Sequence, residues 1–427
     1  MSYREFELSY GHQKIKFSIR DENLLGVIQA KKMSPLPNPR ERVRESLRNP
    51  DNFPPLSEII KPGGRIAILV SDRTRAAKSD LILSALLDEL NSSGVPNEDI
   101  FITFATGTHH RHTREEQQQI VGEEVSEKVT LYDHVCNDRN NLKYVGTTSR
   151  GTRVELNRQV LEADRIILTG TIVYHYFAGF GGGRKSILPG IASFEAIQSN
   201  HRLVLNPGKG RNPLARTGIL NGNSVHEDMV EAASMVNPDF LCNVVLNDDG
   251  ELSGIFAGHW RRTHEKGCRF VDEHYRVKVS EKADLVVVSC GGHPMDVNFA
   301  QSHKAMDNAS FILRDGGVMI LLAECGEGYP SPEYRKWLKY RCKEEIEEVL
   351  RERFSIPGHT IYSAMEKAER FHIILVTELN PNDVHRLGLT PASSIEEALG
   401  IARAELGEAP SAYVMPRGYT TLGTVPT

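Results

Sequence analysis

Short apolar runs alternate with segments of helical periodicity along most of the chain. Residues 65–70 (RIAILV) predict a buried strand, and residues 79–90 repeat their apolar positions at the spacing of a helix. Further strands are predicted at residues 100–105, 128–132, 165–171, 283–289, 317–322, 371–377 and 412–415. Further helices are predicted at residues 113–121, 297–313, 332–353 and 393–406. Strands that alternate with helices are typical of an α/β fold with a mostly parallel sheet.

Two segments near the N-terminus depart from this alternation. Residues 6–19 alternate polar and apolar positions around Tyr10-Gly11, which predicts an amphipathic hairpin. Residues 35–55 are rich in proline, a residue that lacks a backbone donor, and an irregular connection is expected there.

The chain of 427 residues is long enough for roughly two or three domains. A boundary is predicted between about 260 and 280, because residues 260–273 are charged and less clearly patterned. We expect an N-terminal domain over residues 1–270, joined by residues 400–427, and a C-terminal domain over residues 275–395. Each would be an α/β domain built on a mostly parallel sheet flanked by helices, with the active site in the cleft between them.

Composition places the chain among ordinary globular proteins. Hydrophobic residues make up 40% and charged residues 25%, and the formal net charge of −5 gives no reason to expect nucleic acid as a partner. The six cysteines are scattered without a CxxC pair, which favours a reducing compartment over a disulfide framework. No leader-like apolar run and no stretch of about 20 apolar residues occurs. A soluble, cytoplasmic protein that does not bind membranes is therefore expected.

Polar clusters follow three of the predicted strands. They are Ser71-Asp72-Arg73-Thr74-Arg75, the run Thr106-Gly107-Thr108-His109-His110-Arg111-His112, and Thr171 with His175. Each alone has the composition of an ordinary surface turn. Ligands of open α/β sheets collect beyond the carboxyl ends of the strands, so three clusters at equivalent positions favour a binding site.

A glycine-rich segment lies directly after the third cluster. Gly179–Gly183 contains four glycines and precedes Arg184 and Lys185. Exposed amide groups in such a loop would form a concave anion site with Lys185 at its rim. The segment is not a Walker A motif, which needs glycine directly before the lysine. A flexible turn with a solvated Arg-Lys pair is the alternative, but His175, ten residues before Lys185, and His201, sixteen after it, favour a functional site.

A fourth cluster is predicted on the helix at 297–313. Gln301 and Lys304 are three residues apart and therefore share a helix face. The pair is suited to holding a carboxylate, with lysine as a point charge and glutamine as a neutral donor. A solvated helix face has the same pattern.

The histidines of the second cluster allow two chemistries. Near pH 7 the neutral imidazoles of His109, His110 and His112 serve either as acid-base groups or as metal ligands. The chain contains no HExxH motif, and the spacing alone leaves the metal question open.

With these motifs taken together and in this order, the chain resembles the nickel-dependent lactate racemase family over most of its length. The resemblance implies a nickel-pincer nucleotide as cofactor, bound covalently to Lys185 through a thioamide, with His201 as the protein ligand of nickel. The cofactor-binding residues implied are Asp72, Arg73, Thr74, Arg75, Lys185 and Pro189, together with the Gly179–Gly183 loop. The N-terminal domain would bind the cofactor and the C-terminal domain would contribute substrate contacts.

The resemblance also implies the activity. The enzyme would be an isomerase that inverts C2 of a 2-hydroxy carboxylic acid by reversible hydride transfer to the cofactor. His109 and His175 would be the paired acid-base residues, and Arg75, Gln301 and Lys304 would bind the substrate carboxylate. Its partners would be the small-molecule substrate and the proteins that make the cofactor and insert nickel.

Substrate and class retain alternatives. Lactate racemases are expected to carry a tryptophan near the substrate, and the corresponding residues 357–360 contain none. Larger 2-hydroxy acids are therefore open as substrates, and Phe177, close to His175 in sequence, would bound a small or medium side chain. The other classes considered are a non-catalytic carrier of a nucleotide or metal and a zinc hydrolase that uses the histidines of residues 109–112.

Overall fold

The computed structural model describes residues 2–73 and 77–426, in which strands and helices alternate. The strands are β1 (Tyr3–Tyr10), β2 (Gln13–Arg20), β3 (Leu24–Val27), β4 (Ile66–Ser71), β5 (Ile100–Ala105), β6 (Thr130–Asp133), β7 (Leu142–Thr147), β8 (Arg153–Asn157), β9 (Arg165–Thr171), β10 (Tyr174–His175), β11 (Gly179–Phe180), β12 (Phe240–Leu246), β13 (Leu252–Gly258), β14 (Arg276–Lys278), β15 (Ala283–Ser289), β16 (Leu313–Leu322), β17 (His372–Val376), β18 (Thr390–Ala392), β19 (Ala412–Met415) and β20 (Leu422–Thr424). The helices are α1 (Pro39–Arg48), α2 (Leu56–Ile59), α3 (Ser79–Ser92), α4 (Arg114–Val121), α5 (Glu123–Lys128), α6 (Arg158–Leu161), α7 (Phe194–Arg202), α8 (Ser224–Val236), α9 (Trp260–Tyr275), α10 (Phe299–Ala309), α11 (Pro332–Trp337), α12 (Lys343–Glu352), α13 (Ile356–Ala368), α14 (Pro381–Arg386) and α15 (Ile395–Leu406). Short 3₁₀ helices cover Asp21–Asn23, Asn97–Asp99, Arg139–Asn141, Gly183–Ser186 and Ser310–Ile312.

The chain forms two compact units. The first unit is Lys32–Glu273, and the second unit combines Met1–Lys31 with His274–Thr427.

The first unit is built on a six-stranded sheet in the order β13-β12-β9-β4-β5-β6. All neighbours pair in parallel except the edge strand β13, which is antiparallel to β12. The central strand β4 is apolar and fully buried from Ile66 to Val70, as expected for a parallel strand covered on both faces. Helix α3 packs its leucines into the same core.

The second unit is built on a sheet in the order β18-β17-β16-β15-β19-β3, in which every neighbouring pair is parallel. The predicted hairpin is present as β1 and β2, with Tyr10 opposite Gln13. Its apolar face, which includes Leu8 and Phe17, joins the core of this sheet. The predicted α/β class with mostly parallel sheets is confirmed for both units.

The division into units differs from the expected domains at both chain ends. Strand β3 pairs with β19, and β19 pairs with β15, so the first residues and the last residues belong to the same sheet as the C-terminal domain. Backbone pairing between segments nearly 400 residues apart leaves no trace in local periodicity. The sequence therefore did not indicate that residues 400–427 group with the second unit, as they do in the structure.

The helices differ from the predictions at two places, a region predicted as an unpatterned boundary and a region predicted as one long helix. Residues 260–273 lie in α9, whose buried positions include Thr263, His264 and Cys268 at helical spacing. Trp260 and Val271 are buried on the same face, and the pattern was missed because the polar Thr263 and His264 stand between these apolar positions. Residues 332–353 form two helices, α11 and α12, and the Arg341 N–H between them donates to the Glu345 carboxylate at 2.9 Å. In contrast, α4 begins where predicted, with a Thr113–Glu116 capping box.

No helix in the described part of the chain is both long and apolar enough to cross a bilayer.

Candidate functional site

Three adjacent parallel strands bring the predicted polar clusters to one edge of the first unit's sheet. Strands β9, β4 and β5 are neighbours in that order, and they end at Thr171, Ser71 and Ala105. The chain continues from these ends into the segments that carry His175, Asp72 and His109. The prediction that the clusters occupy equivalent positions in the sheet is confirmed.

His109 is held by Asp72. Its backbone N–H donates to the Thr106 carbonyl at 2.9 Å, which fixes the turn after β5. The side chain is about half exposed, and its Nδ1 donates to the carboxylate of the buried Asp72. A carboxylate can only accept, so Nδ1 carries the proton and Nε2 carries the lone pair. Asp72 was expected at the cofactor, and in the structure its carboxylate contacts His109.

The turn that carries His109 also contacts the segment of Pro189. Gly107 donates its N–H to the Gly190 carbonyl at 2.9 Å, and Gly107 has a φ of +56°. A Cβ at Gly107 would lie 3.5 Å from the Pro189 carbonyl oxygen. Glycine is favoured here because the backbone is left-handed.

His112 has a structural role. Its Nδ1 donates to Asp133 Oδ1 at 2.5 Å, and its Nε2 accepts the Arg73 N–H at 3.3 Å. Because both ring nitrogens are engaged, a zinc site that uses His112 would have to break these bonds. Across residues 2–73 and 77–426, no group of three or more His, Cys, Asp and Glu side chains is arranged to hold a metal ion.

The glycine-rich loop is not an open anion cradle. The Gly181 N–H donates to the Val173 carbonyl at 2.7 Å, and the Gly183 N–H donates to Asn243 Oδ1 at 2.8 Å. A Cβ at Gly179 would lie 2.1 Å from the Ile219 carbonyl oxygen. The amides of Gly181 and Gly183 are therefore bonded within the protein and are not exposed, and the glycine at 179 allows close packing against a neighbouring segment.

Arg184 closes this loop from inside. The side chain is 1% exposed and donates to the carbonyls of Ala178 at 2.8 Å, Gly181 at 3.3 Å and Gly182 at 3.2 Å. Burial lowers the pKa of the guanidinium to about 10. The alternative of a flexible turn with a solvated Arg-Lys pair is therefore wrong as well.

Phe177 brings three of the predicted site residues together. Its buried ring meets the His175 ring edge-on at a centroid distance of 4.5 Å and the His201 ring at 5.1 Å. The Lys185 ammonium lies 5.7 Å from the same ring centroid. A lysine amine and two imidazoles thus surround one aromatic ring within the first unit.

His201 is a neutral, buried imidazole near the end of α7. It is 4% exposed, and burial followed by the nearby charge of Lys185 lowers its pKa to about 3. Its Nδ1 lies 3.1 Å from Asn200 Oδ1. An imidazole that donates from Nδ1 presents a lone pair on Nε2, which is the form that binds a metal.

His175 is held in the opposite sense to His109. Its Nδ1 accepts the Ala178 N–H at 3.2 Å. In a neutral ring the proton must then be on Nε2. His109 therefore offers an acceptor at Nε2, whereas His175 offers a donor.

The second unit holds its own cluster on α10. Lys304 Nζ donates to Gln301 Oε1 at 2.7 Å and to the Tyr419 hydroxyl at 2.9 Å, and it lies 4.6 Å from the centroid of the Tyr419 ring. The shared helix face of Gln301 and Lys304 is as predicted. Tyr419 was missed because it is 115 residues away in sequence, with no motif to connect it.

The remaining predicted residues are placed as follows. Arg73 forms a solvent-exposed ion pair with Glu116 at 2.7 Å. Thr74 and Arg75 lie outside the described residues. The segment 357–360 lies in α13, where a Cβ at Gly358 would be 2.7 Å from atoms of the Trp337 ring. An aromatic ring therefore packs against this segment, but it comes from α11.

The protein contains several buried histidines that are neutral in the folded state. Acid is therefore expected to lower the free energy of unfolding. Burial lowers the pKa of His134 to about 4, of His226 to about 2, and of His264 and His303 to about 3. The stability that these groups contribute is present above the unfolded pKa of about 6.5 and is lost as the pH falls from there toward the folded values. Each adds a slope of up to about 1.4 kcal/mol per pH unit. Urea unfolding at pH 7.5, 6.5 and 5.5 measures the effect, and a free energy of unfolding that stays constant over this range would contradict it.

Two family models match the chain in succession. The model of the lactate racemase N-terminal domain matches residues 10–212, and the model of the lactate racemase C-terminal domain matches residues 278–422.

Individual relatives match almost the full chain. The lactate racemase of Thermoanaerobacterium thermosaccharolyticum is 34% identical over 426 residues, with 97% of this chain and 98% of the relative covered. The lactate racemase of Lactiplantibacillus plantarum is 34% identical over 423 residues, with 96% and 98% covered. The structure of the lactate racemase apoprotein from T. thermosaccharolyticum has a TM-score of 0.90 at 33% identity, covering 98% of this chain and 100% of that chain. A protein from Thermotoga maritima, with a TM-score of 0.65 at 19% identity over 92% of this chain and 100% of its own, supports the fold alone.

Proposed function

The chain belongs to the lactate racemase family and is therefore a racemase, and we propose that it inverts C2 of a 2-hydroxy carboxylic acid with a nickel-pincer nucleotide held by Lys185 and His201. The observation that carries this proposal is the arrangement around Phe177. A primary amine and a neutral imidazole lie against the same ring there, as a lysine-tethered cofactor with a histidine ligand requires.

The donor set fits such a cofactor. Imidazole is a suitable ligand for nickel, and His201 is kept neutral by burial. Lys185 is half-buried, so its amine is neither sealed in the core nor fully solvated. When bound, the cofactor would take up the C2 hydrogen of the substrate and return it. The rest of the reaction falls to residues of this chain.

His109 is the proposed base. The Asp72 carboxylate holds the proton of His109 on Nδ1 and stabilises the imidazolium that forms when Nε2 accepts the substrate hydroxyl proton. General acid-base work of this kind contributes roughly 10²–10⁴-fold to the rate.

His175 is the proposed acid for the second half of the same turnover, in which the 2-oxo intermediate is reduced on its other face. With Nδ1 bonded to the Ala178 N–H, its Nε2–H can donate a hydrogen bond to the oxygen of the 2-oxo intermediate. Full transfer of a proton would come from the imidazolium, in which Nδ1 is also protonated and no longer accepts the Ala178 N–H. A racemase acts on two mirror-image substrates whose hydroxyl groups point in opposite directions, so it needs a proton-transferring residue on each side of the substrate. His109 offers an acceptor nitrogen and His175 offers a donor nitrogen, and these are the two residues proposed.

Lys304 is proposed to bind the substrate carboxylate, with Gln301 and Tyr419 holding its ammonium in place. Lys304→Met should raise KM and lower kcat/KM about 10- to 150-fold, because a hydrogen bond to a charged group contributes about 1.5–3 kcal/mol. Lys282→Met, which removes an exposed lysine of the same unit, is the matched control. Unchanged kinetics for Lys304→Met would remove Lys304 from the substrate site.

A screen of enantiopure 2-hydroxy acids tests the function itself. Protein that carries the cofactor is incubated with acids whose side chains increase in size from methyl upward, and the enantiomers are separated by chiral chromatography. Racemisation of at least one acid is expected. A protein that carries the adduct but inverts no acid would instead be a carrier, and bound zinc with hydrolase activity would favour the hydrolase alternative.

A further inference from the structure

The proposed nickel ligand lies at one end of a buried chain of hydrogen bonds. His201 Nδ1 faces Asn200 Oδ1 at 3.1 Å, and Asn200 Nδ2 donates to Asp228 Oδ2 at 2.8 Å. The side-chain amide also donates to the Val225 carbonyl at 3.1 Å. Asn200 and Asp228 are 0% exposed, so water does not compete for these bonds. This series of hydrogen bonds links α7 to α8.

Asp228 is a buried carboxylate with several donors around it. Thr148 Oγ1 donates to Oδ1 at 2.5 Å, and Thr152 Oγ1 donates to Oδ2 at 2.9 Å. The Thr148 oxygen in turn accepts the Thr152 N–H at 3.0 Å. Burying a carboxylate is costly unless it is well hydrogen-bonded, and these donors meet that need. Because a carboxylate only accepts hydrogen bonds, each of the neighbouring groups must donate to Asp228.

The direction of the network determines the proton of His201. Because Asp228 only accepts, the Asn200 amide must turn its NH₂ group toward Asp228 and its oxygen toward His201. Because that oxygen only accepts, His201 must carry its proton on Nδ1. The lone pair of the imidazole is then on Nε2.

We propose that Asn200 and Asp228 are positioning residues that fix the Nδ1–H tautomer of His201 and so prepare Nε2 to bind the nickel of the cofactor. The inference rests on the proposed function in so far as it takes the bound metal ion to be the nickel of the cofactor. Partners of this kind behind a metal-binding histidine typically change metal affinity 10- to 100-fold when they are removed.

Asn200→Ala tests the proposal, because it removes the acceptor for the His201 proton. Two-bond ¹H–¹⁵N correlation spectra of cofactor-free protein with ¹⁵N-labelled histidine, assigned with His201→Gln, report the tautomer. The Nδ1–H form is expected in the unsubstituted protein and a loss of that preference in Asn200→Ala. In cofactor-loaded protein dialysed against a chelator, the ratio of nickel to Lys185 adduct should fall at least about tenfold, with the adduct retained.

Two further variants separate positioning from simple packing. Asn200→Asp keeps an acceptor next to His201, since two adjacent carboxyl groups can share a proton, and it should retain the tautomer and most of the nickel. Asn157→Ala removes another buried asparagine of the first unit, which contacts His134 at 3.3 Å, and should leave nickel unchanged. An unaltered tautomer and nickel ratio in Asn200→Ala would overturn the inference. An unsubstituted protein with no adduct would contradict the proposed function, whereas the tautomer measurement would still test the inference.

Discussion

Replacing Lys185 by arginine is expected to remove the covalent adduct and to reduce racemisation below detection. Arginine keeps the positive charge near Phe177, but its guanidinium cannot form the same thioamide. Transfer of the C2 hydrogen is proposed to depend on the cofactor, because the side chains of the protein cannot carry it out. Loss of the covalent link should therefore reduce turnover far more than a change of charge at this position would. The fold should persist, because the Lys185 side chain is only half-buried and does not belong to the core clusters of either sheet.

Intact-mass analysis and peptide mapping measure this prediction on protein made together with the cofactor's biosynthetic enzymes. Lys209→Arg, an exposed substitution in the same unit, is the control and should retain both adduct and activity. A full adduct on Lys185→Arg would show that another residue holds the cofactor. Equal melting temperatures of the two cofactor-free variants would exclude misfolding as the cause of a loss.

The sheets could be predicted because buried parallel strands have a strong local pattern. Residues 66–70 of β4 and 285–288 of β15 are continuous apolar runs, and the polar continuations of strands in the first unit were expected at one edge of a sheet. The order of strands is not local information. The pairing of β3 with β19 joins the two ends of the chain, and nothing in either segment indicates the other.

The site was predictable where one motif contains the interacting residues. His175, Phe177 and Lys185 lie within eleven consecutive residues, and the sequence singled out that stretch. Tyr419 and Asp228 reach their partners only through tertiary packing. The glycine-rich loop was misinterpreted for a related reason: glycine signals close approach of the backbone, but the approaching atoms belong to Ile219 and His264.

The contact between Asp72 and His109 changes what is expected from the acid-base pair. The resemblance assigned Asp72 to the cofactor, whereas the structure places its carboxylate on His109 Nδ1. Asp72→Asn separates these roles. If Asp72 orients His109, the adduct remains and turnover falls, because an amide can donate to Nδ1 and stabilise the wrong tautomer. The same change behind the catalytic histidine of the serine protease triad lowers kcat about 10⁴-fold.

His109→Ala should lower kcat/KM about 10²- to 10⁴-fold for both enantiomers, with the Lys185 adduct intact. The loss must be equal in the two directions. Enantiomers have the same free energy, so their equilibrium constant is one, and this constant equals the ratio of the kcat/KM values for the two enantiomers. The double variant Asp72→Asn/His109→Ala should be no slower than His109→Ala alone, since Asp72 acts through the imidazole. His110→Ala, at an exposed neighbouring position, is the control and should keep its activity. A further loss of kcat/KM in the double variant, or loss of the adduct in Asp72→Asn, would indicate that Asp72 binds the cofactor and does not act through His109.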